Sequence, residues 1–112
     1  MNATLDRDQL RDVTLDDPDL MHDILVALIN DTSRQISLME SALRLGDSPQ
    51  CKRLAHYSKG ACANLGANAA AELLRSIEQH ATAGRFAECE ASLAALAAEV
   101  DRLRAEVPPT SE

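Results

Sequence analysis

The sequence predicts an all-α protein, and three of its features support this fold class. Alanine, the residue with the highest intrinsic helix propensity, fills 19 of the 112 positions. Aromatic residues make up only 2% of the chain, whereas β-sandwiches and barrels favour aromatic and β-branched residues. Apolar residues recur at helical spacing in four long segments, which short turns containing Gly or Pro separate. We therefore predict an antiparallel up-down-up-down four-helix bundle with a short N-terminal helix.

Two helices are predicted in the first part of the chain. A short one covers about residues 6–13 and is too short to be stable alone. It offers apolar side chains for packing at Leu5, Leu10 and Val13. The first long helix begins at Asp16-Asp17-Pro18, because Asp is a favourable N-cap and Pro suits the first helical position. Its apolar stripe is interrupted at Thr32 and Gln35 and ends at Gly46.

The next two helices are marked by the same kinds of residue. Ser48-Pro49, interpreted as an N-cap and a first helical residue, starts a helix that runs to about Leu65 and stops at Gly66. Asn68 is the predicted cap of the following helix, which ends at Gly84. The apolar face of that helix comprises Ala70, Leu73, Leu74, Ile77 and Ala81.

The last helix begins near Arg85 and has the most regular apolar spacing. Its apolar positions alternate steps of three and four residues in a heptad pattern: Phe86, Cys89, Leu93, Leu96, Val100, Leu103 and Val107. Pro108-Pro109 closes the helix, and the last three residues are expected to fray. The heptads would also suit a coiled-coil dimer, but three other amphipathic helices in the same chain favour an internal bundle.

Length and hydropathy predict one domain over residues 1–112, with its core over about residues 16–107. No apolar run approaches the ~18 residues of a membrane span, and no secretory signal is visible. We therefore expect a cytoplasmic protein without membrane contact. Met1 and the final PPTSE favour a free-standing chain over an excised domain.

The net charge of −7 argues against nucleic-acid binding, which needs a basic surface. The charge is unevenly distributed: residues 50–86 carry five basic and two acidic side chains, a net of +3. Residues 1–49 have a net charge of −6 and residues 87–112 of −4. The positive segment is either a chance feature of solvated helix faces or a docking surface for an acidic partner.

The sequence contains no motif of a common enzyme or metal site. GxSxG, a Gly-rich phosphate loop and HExxH are absent, so we expect no cofactor in this chain. Cys51, Cys62 and Cys89 show no CxxC spacing, and their odd number argues against a disulfide framework. Cys62 and Cys89 are expected to fill the core.

The second long helix carries the candidate site. Projected at about 100° per residue, its bundle side comprises Leu54, Ser58, Ala61, Cys62 and Leu65. Its water side comprises Lys52, His56, Lys59, Gly60 and Ala63. Gly60 is unusual, because a glycine inside a helix costs ~1 kcal/mol relative to Ala, and a close approach is a common reason to keep one. Gly60 and Ala63 leave room for a partner to reach the imidazole of His56.

An exposed imidazole beside a lysine suits acceptance of a phosphoryl group. Neutral imidazole is a good nucleophile near pH 7. Lys59 would offset the two negative charges of a phosphorylated His56 by ~1–4 kcal/mol. The alternative is that His56 faces solvent without a role, which is what we expect of His22 and His80.

The run AHYSKGACANLGA resembles the signature of the histidine-containing phosphotransfer (HPt) family, HxxKG with a further glycine six residues on. The matching residues are His56, Lys59, Gly60 and Gly66, and the resemblance covers roughly residues 15–106. The family fold is an antiparallel four-helix bundle, which agrees with the helices predicted above.

The resemblance implies roles for individual residues. His56 matches the phospho-accepting histidine, Lys59 the lysine beside the phosphoryl group, and Gly60 the glycine that permits partner approach. A Gln or Glu 22 residues after the histidine often touches the imidazole; here it is Glu78, although a shift of one residue would select Gln79. At Ser58 the family usually has a large apolar residue. We expect weaker packing there, offset by a bond from Ser58 to a carbonyl one turn back.

The family resemblance implies a phosphorelay intermediate, a carrier without a nucleotide site. His56 would accept a phosphoryl group from the aspartate of one receiver domain and pass it to another. Its partners would be response-regulator receivers and a hybrid sensor histidine kinase, with Mg²⁺ on the receiver, and the chain would be a monomer. The alternatives are a helical interaction module without phosphorylation and the phosphodonor domain of a chemotaxis-type kinase.

Overall fold

The computed structural model describes residues 3–107, which form five α-helices and contain no β-strand. The helices are α1 (Arg7–Val13), α2 (Pro18–Arg44), α3 (Ser48–Asn64), α4 (Asn68–Thr82) and α5 (Phe86–Ala105). The four long helices form an antiparallel bundle, in which α3 packs against α2 and α4, and α5 packs against α4 and α2. The predicted fold class, a four-helix bundle preceded by a short helix, is confirmed.

The starts of α2 and α3 both depend on an aspartate. Asp17 caps α2 and Pro18 is its first residue, as predicted. The cap of α3 is Asp47, whose Oδ1 accepts the backbone N–H of Gln50 at 3.1 Å. The prediction that Ser48 is the cap was wrong by one residue. Aspartate is as good an N-cap as serine, and proline is tolerated throughout the first turn.

The start of α4 also differs from the prediction. Asn68 is the first helical residue, and Ala67 holds the cap position without any side-chain hydrogen bond. Ala67 is fully buried, and the next turn is tied to the N-terminal segment by a bond from the Ala69 N–H to the Ala3 carbonyl at 3.0 Å. Tertiary packing, rather than a capping side chain, therefore sets where α4 begins.

The heptad positions of α5 form one side of the core. Its apolar heptad residues from Cys89 to Leu103 are all buried, so they pack inside the chain. Phe86 is 40% exposed and does not belong to the core. It is the first residue of α5, where a side chain has neighbouring helices on fewer sides.

Polar side chains also lie in the interior. Thr32 and Gln35 are buried, and α2 continues through them without a break. Thr32 Oγ1 lies 3.8 Å from Sγ of Cys62, which links α2 to α3. Glu99 is buried in α5 and accepts a bond from Arg102 at 2.6 Å, which the apolar pattern did not indicate. All three cysteines are buried with free thiols.

The short helix α1 covers the end of the bundle where α3 turns into α4. The Asp6 N–H donates to the Gly66 carbonyl at 2.8 Å, and Gln9 Nε2 donates to the Ala63 carbonyl at 2.6 Å. Leu10 is buried against the core, but Val13 is 45% exposed, so the predicted packing of Val13 was wrong. Val13 is the last residue of α1, and Leu10 is the residue that this helix buries.

At the C-terminal end α5 stops at Ala105, and Val107 is half-buried beyond it. The predicted closure at Pro108-Pro109 and the fraying of the last three residues lie outside the described residues. Within residues 3–107, no helix has both the length and the apolar character needed to cross a membrane.

Candidate functional site

The middle of α3 presents His56 to solvent. Its side chain is 68% exposed, as the helical projection indicates, and Lys59 one turn further on is half-buried. Gly60 is exposed, and within residues 3–107 a Cβ built there would meet no atom within 4 Å beyond its chain neighbours and the backbone of its own helix. The surface beside the imidazole is therefore open.

Glu78 on α4 completes a cluster with His56 and Lys59. One carboxylate oxygen, Oε1, lies 2.9 Å from His56 Nδ1, and the other, Oε2, accepts a hydrogen bond from Lys59 Nζ at 2.7 Å. The Glu78 side chain is 17% exposed. The sequence left open whether Glu78 or Gln79 touches the imidazole. In the structure it is Glu78.

Charge determines which nitrogen of His56 carries the proton. The hydrogen bond from Lys59 lowers the pKa of Glu78, assisted by the bond to His56 and opposed by partial burial. Glu78 is therefore ionised at neutral pH, and an ionised carboxylate can only accept hydrogen bonds. Because Nδ1 must be the donor, neutral His56 has its lone pair on Nε2. Nε2 has no hydrogen-bond partner within residues 3–107, so it is available as a nucleophile.

Beneath the site, Ser58 does not behave as predicted. It is buried, but its Oγ has no hydrogen-bond partner among the described residues, so the expected bond to a carbonyl one turn back was wrong. Ser58 therefore leaves an unsatisfied hydroxyl in a position that an apolar side chain would fill.

The other two histidines lie outside this cluster. His22 in α2 and His80 in the last turn of α4 are both half-buried, rather than at the surface as predicted. The Nδ1 atom of His80 is buried without a partner in the described structure. Neither histidine has an arrangement like that of His56.

Two basic residues that the sequence analysis did not assign to the site lie beside it. A groove of about 400 Å³ between α3 and α4 is lined by Lys52, Lys59, Arg75, Glu78, Gln79 and Thr82. Lys52 is one helical turn before His56, and Arg75 is three residues before Glu78. Both belong to the positive segment of residues 50–86, which was the signal available in the sequence.

A second groove, of about 460 Å³, lies between α2 and α5, and no His, Cys, Ser, Thr or Lys among residues 3–107 lines it. It is lined by Glu40, Leu43, Arg44, Glu90, Leu93, Ala94 and Ala97. Within residues 3–107, no three His, Cys, Asp or Glu side chains are grouped as metal ligands would be.

Comparison with known proteins agrees with this geometry. The sequence model of the Hpt domain matches residues 23–106. The crystal structure of histidine-containing phosphotransfer protein B from Pseudomonas aeruginosa PAO1 superposes with a TM-score of 0.85 and 22% identity, over 96% of this chain and 93% of that one. At this identity the likeness concerns the fold. No curated protein sequence matches. Since the domain match spans well over half of the sequence and includes His56, this chain belongs to the Hpt domain family.

Proposed function

We propose that this protein is a phosphorelay intermediate, which accepts a phosphoryl group on His56 from a receiver-domain aspartate and passes it to the aspartate of another receiver. The observation that supports this most directly is the contact of His56 Nδ1 with an ionised carboxylate, which leaves Nε2 as an exposed nucleophile. Membership of the Hpt domain family supports the same role.

The transfer needs no proton exchange with the protein. The Nε2 lone pair attacks phosphorus, a nitrogen–phosphorus bond forms, and the bond from phosphorus to the aspartyl oxygen breaks. Aspartate leaves as a carboxylate. The Nδ1 proton stays on the ring, and the Glu78 carboxylate at 2.9 Å stabilises the positive charge that the ring acquires. The outward transfer is the reverse of these steps.

Lys59 serves the phosphorylated state. Its ammonium has three donors, and one of them bonds to Glu78 at 2.7 Å in this structure. The others are free to bond phosphoryl oxygens on Nε2. An opposite charge at this range is worth ~1–4 kcal/mol, depending on the local dielectric. Gly60 has no side chain, so the surface beside His56 stays open for the receiver.

The receiver supplies what this bundle does not. In phosphoryl transfer a metal ion neutralises the developing charge, and we assign Mg²⁺ and its acidic ligands to the receiver, with no cofactor on this chain. A hybrid sensor kinase would be the upstream source. The protein then acts as a carrier, which is consumed and regenerated without turnover of its own.

A phosphotransfer assay tests the proposal. Receiver domains from the same organism are labelled with radioactive acetyl phosphate and Mg²⁺, and each is mixed with this protein. We expect transfer of the label from at least one of them. The transferred label should be stable in base and lost in acid, as a phosphoramidate is.

Variants of the histidines decide which residue is the acceptor. His56→Gln should take no label, whereas His22→Gln and His80→Gln should label normally. Label that persists in His56→Gln would contradict the assignment. Receiver binding without any label would instead identify an interaction module.

A further inference from the structure

The groove between α3 and α4 holds basic side chains that no acidic side chain within residues 3–107 neutralises. Within residues 3–107, most cations have a side-chain partner. Five arginines pair with carboxylates, namely Arg7, Arg11, Arg34, Arg102 and Arg104. Arg44 and Arg53 bond to neutral oxygens, and Lys59 bonds to Glu78. The side chains of Lys52, Arg75 and Arg85 have no partner among these residues.

This distribution is unexpected in an acidic protein. With 18 acidic and 11 basic side chains, carboxylates are plentiful enough to pair every cation. Two of the three unpaired cations, Lys52 and Arg75, nevertheless line the same groove, together with Lys59. Glu78 is the acidic residue among the lining side chains, so the groove carries an excess of positive charge. Such a surface attracts an anionic partner and favours its docking.

The unpaired cations lie in the groove beside the site, outside the hydrogen bonds that link His56, Lys59 and Glu78. Within residues 3–107, neither Lys52 nor Arg75 forms a hydrogen bond or ion pair with His56 or Glu78, whereas Lys59 shares Glu78 with His56. Both side chains are exposed, and they come from the two helices that bear the site, one from α3 and one from α4. A partner whose aspartate reaches His56 must lie over the adjoining surface, which includes this groove.

We propose that Lys52 and Arg75 bind acidic side chains of the receiver that lie outside its phosphorylation site, and so select which receivers dock. This inference rests on the proposed function. Arginine suits the task because its guanidinium bonds a carboxylate through two parallel N–H groups, whereas lysine adds a mobile point charge. The pair would strengthen docking without taking part in the chemical step.

Charge reversal tests the inference, with Arg85→Glu as a matched control. Arg85 is also exposed and unpaired and belongs to the same basic segment, but it does not line the groove. The probe is the receiver that gives the fastest transfer in the assay above. Lys52→Glu and Arg75→Glu should each weaken receiver binding about tenfold by calorimetry, and Arg85→Glu less than twofold. Circular dichroism checks that every variant is folded.

Kinetics separate docking from chemistry. For Lys52→Glu and Arg75→Glu, the receiver concentration at half-maximal rate should rise about tenfold, while the rate at saturation stays within twofold. The dependence of binding on salt should also become weaker. The lifetime of phosphorylated His56 without receiver should not change, because the proposal places both side chains against the receiver and not against the phosphoryl group.

Three results would overturn the inference. The first is a response of the groove variants equal to that of Arg85→Glu. The second is a loss confined to the saturating rate, and the third is a shorter phosphohistidine lifetime. Failure of the proposed function would look different. In that case the unmodified protein itself would take no label on His56.

Discussion

At the scale of single residues, one carboxylate organises the site. Glu78 uses its two oxygens for two partners on α3, His56 Nδ1 at 2.9 Å and Lys59 Nζ at 2.7 Å. The first contact sets the tautomer of the imidazole, and the second holds the lysine beside it. An uncharged side chain of the same shape would keep the first contact and lose the ion pair.

Replacing Glu78 therefore has a pH-dependent effect on stability. At pH 7, Glu78→Gln should lower the free energy of unfolding by roughly 0.5–1 kcal/mol, because the ion pair is lost. The pKa of Glu78 is lowered in the folded state, so its contribution is fully present above the ordinary carboxylate pKa. It is lost as the pH falls through the lower folded value. Urea denaturation at pH 7 and pH 3 should show the difference at pH 7 and little at pH 3.

Glu72→Gln is the matched control, since Glu72 is exposed on the same helix and its carboxylate has no ion pair in the described structure. It should change stability little at either pH. An equal loss for Glu78→Gln at both pH values would show that its effect is not electrostatic.

Gly60 lowers the stability of α3, because it is a glycine inside a helix, and it keeps the surface beside His56 open for the receiver. Gly60→Ala should raise the free energy of unfolding by a few tenths to ~1 kcal/mol, because the added Cβ meets nothing within 4 Å. Gly60→Glu should remain folded but lose at least about tenfold in transfer rate. The longer side chain obstructs the receiver and adds a like charge beside the phosphoryl group. Circular dichroism and the transfer assay measure the two effects.

Ala91→Glu places the same charge on the exposed surface of α5 and should transfer at the normal rate. Normal transfer by Gly60→Glu would move the docking surface away from this face of α3. Unfolding of that variant would contradict its position on the water side.

At the scale of elements, the α3–α4 turn is joined to α1 through Gly66. Gly66 has φ +86, and a Cβ there would lie 2.7 Å from the carbonyl oxygen of Asp6. That oxygen belongs to a residue whose N–H bonds back to Gly66. A side chain at this position must therefore push α1 away from the bundle, in addition to adopting an unfavourable backbone conformation.

Gly66→Ala should consequently destabilise the fold more than Gly84→Ala. Gly84 has a similar φ of +71, but its Cβ would meet nothing within 4 Å, so its substitution carries only the ~1–2 kcal/mol of left-handed backbone strain. Urea denaturation of the two variants isolates the contribution of the α1 contact. Equal losses would show that α1 moves aside without cost.

At the scale of the whole molecule, the bundle uses the heptad face of α5 internally. Leu96 and Leu103 are fully buried by the other helices of the same chain. A coiled-coil dimer through this face would require the bundle to open. We therefore predict a monomer of 12.1 kDa by light scattering at micromolar concentrations, and a stable mass near twice that value would contradict it.

The sequence alone determined the features that depend on neighbours within one helix. Apolar periodicity and the glycines between helices predicted the four long helices, and projection of α3 placed His56 and Gly60 on its water side. These predictions succeed because a helix turns by a fixed angle per residue, so spacing along the chain specifies direction around the axis. The N-cap of α3 was predicted one residue too late, because Asp47 and Ser48 can both cap a helix.

The tertiary structure decided what depends on the register between helices. Only the packing of α4 against α3 shows that Glu78, and not Gln79, reaches His56, and that Lys52 and Arg75 share a groove. The burial of Glu99 within an apolar stripe was also decided there. One residue along a helix changes height by about 1.5 Å and direction by about 100°. Which side chains meet across two helices therefore depends on how the whole core fills, a property that no local pattern in the sequence specifies.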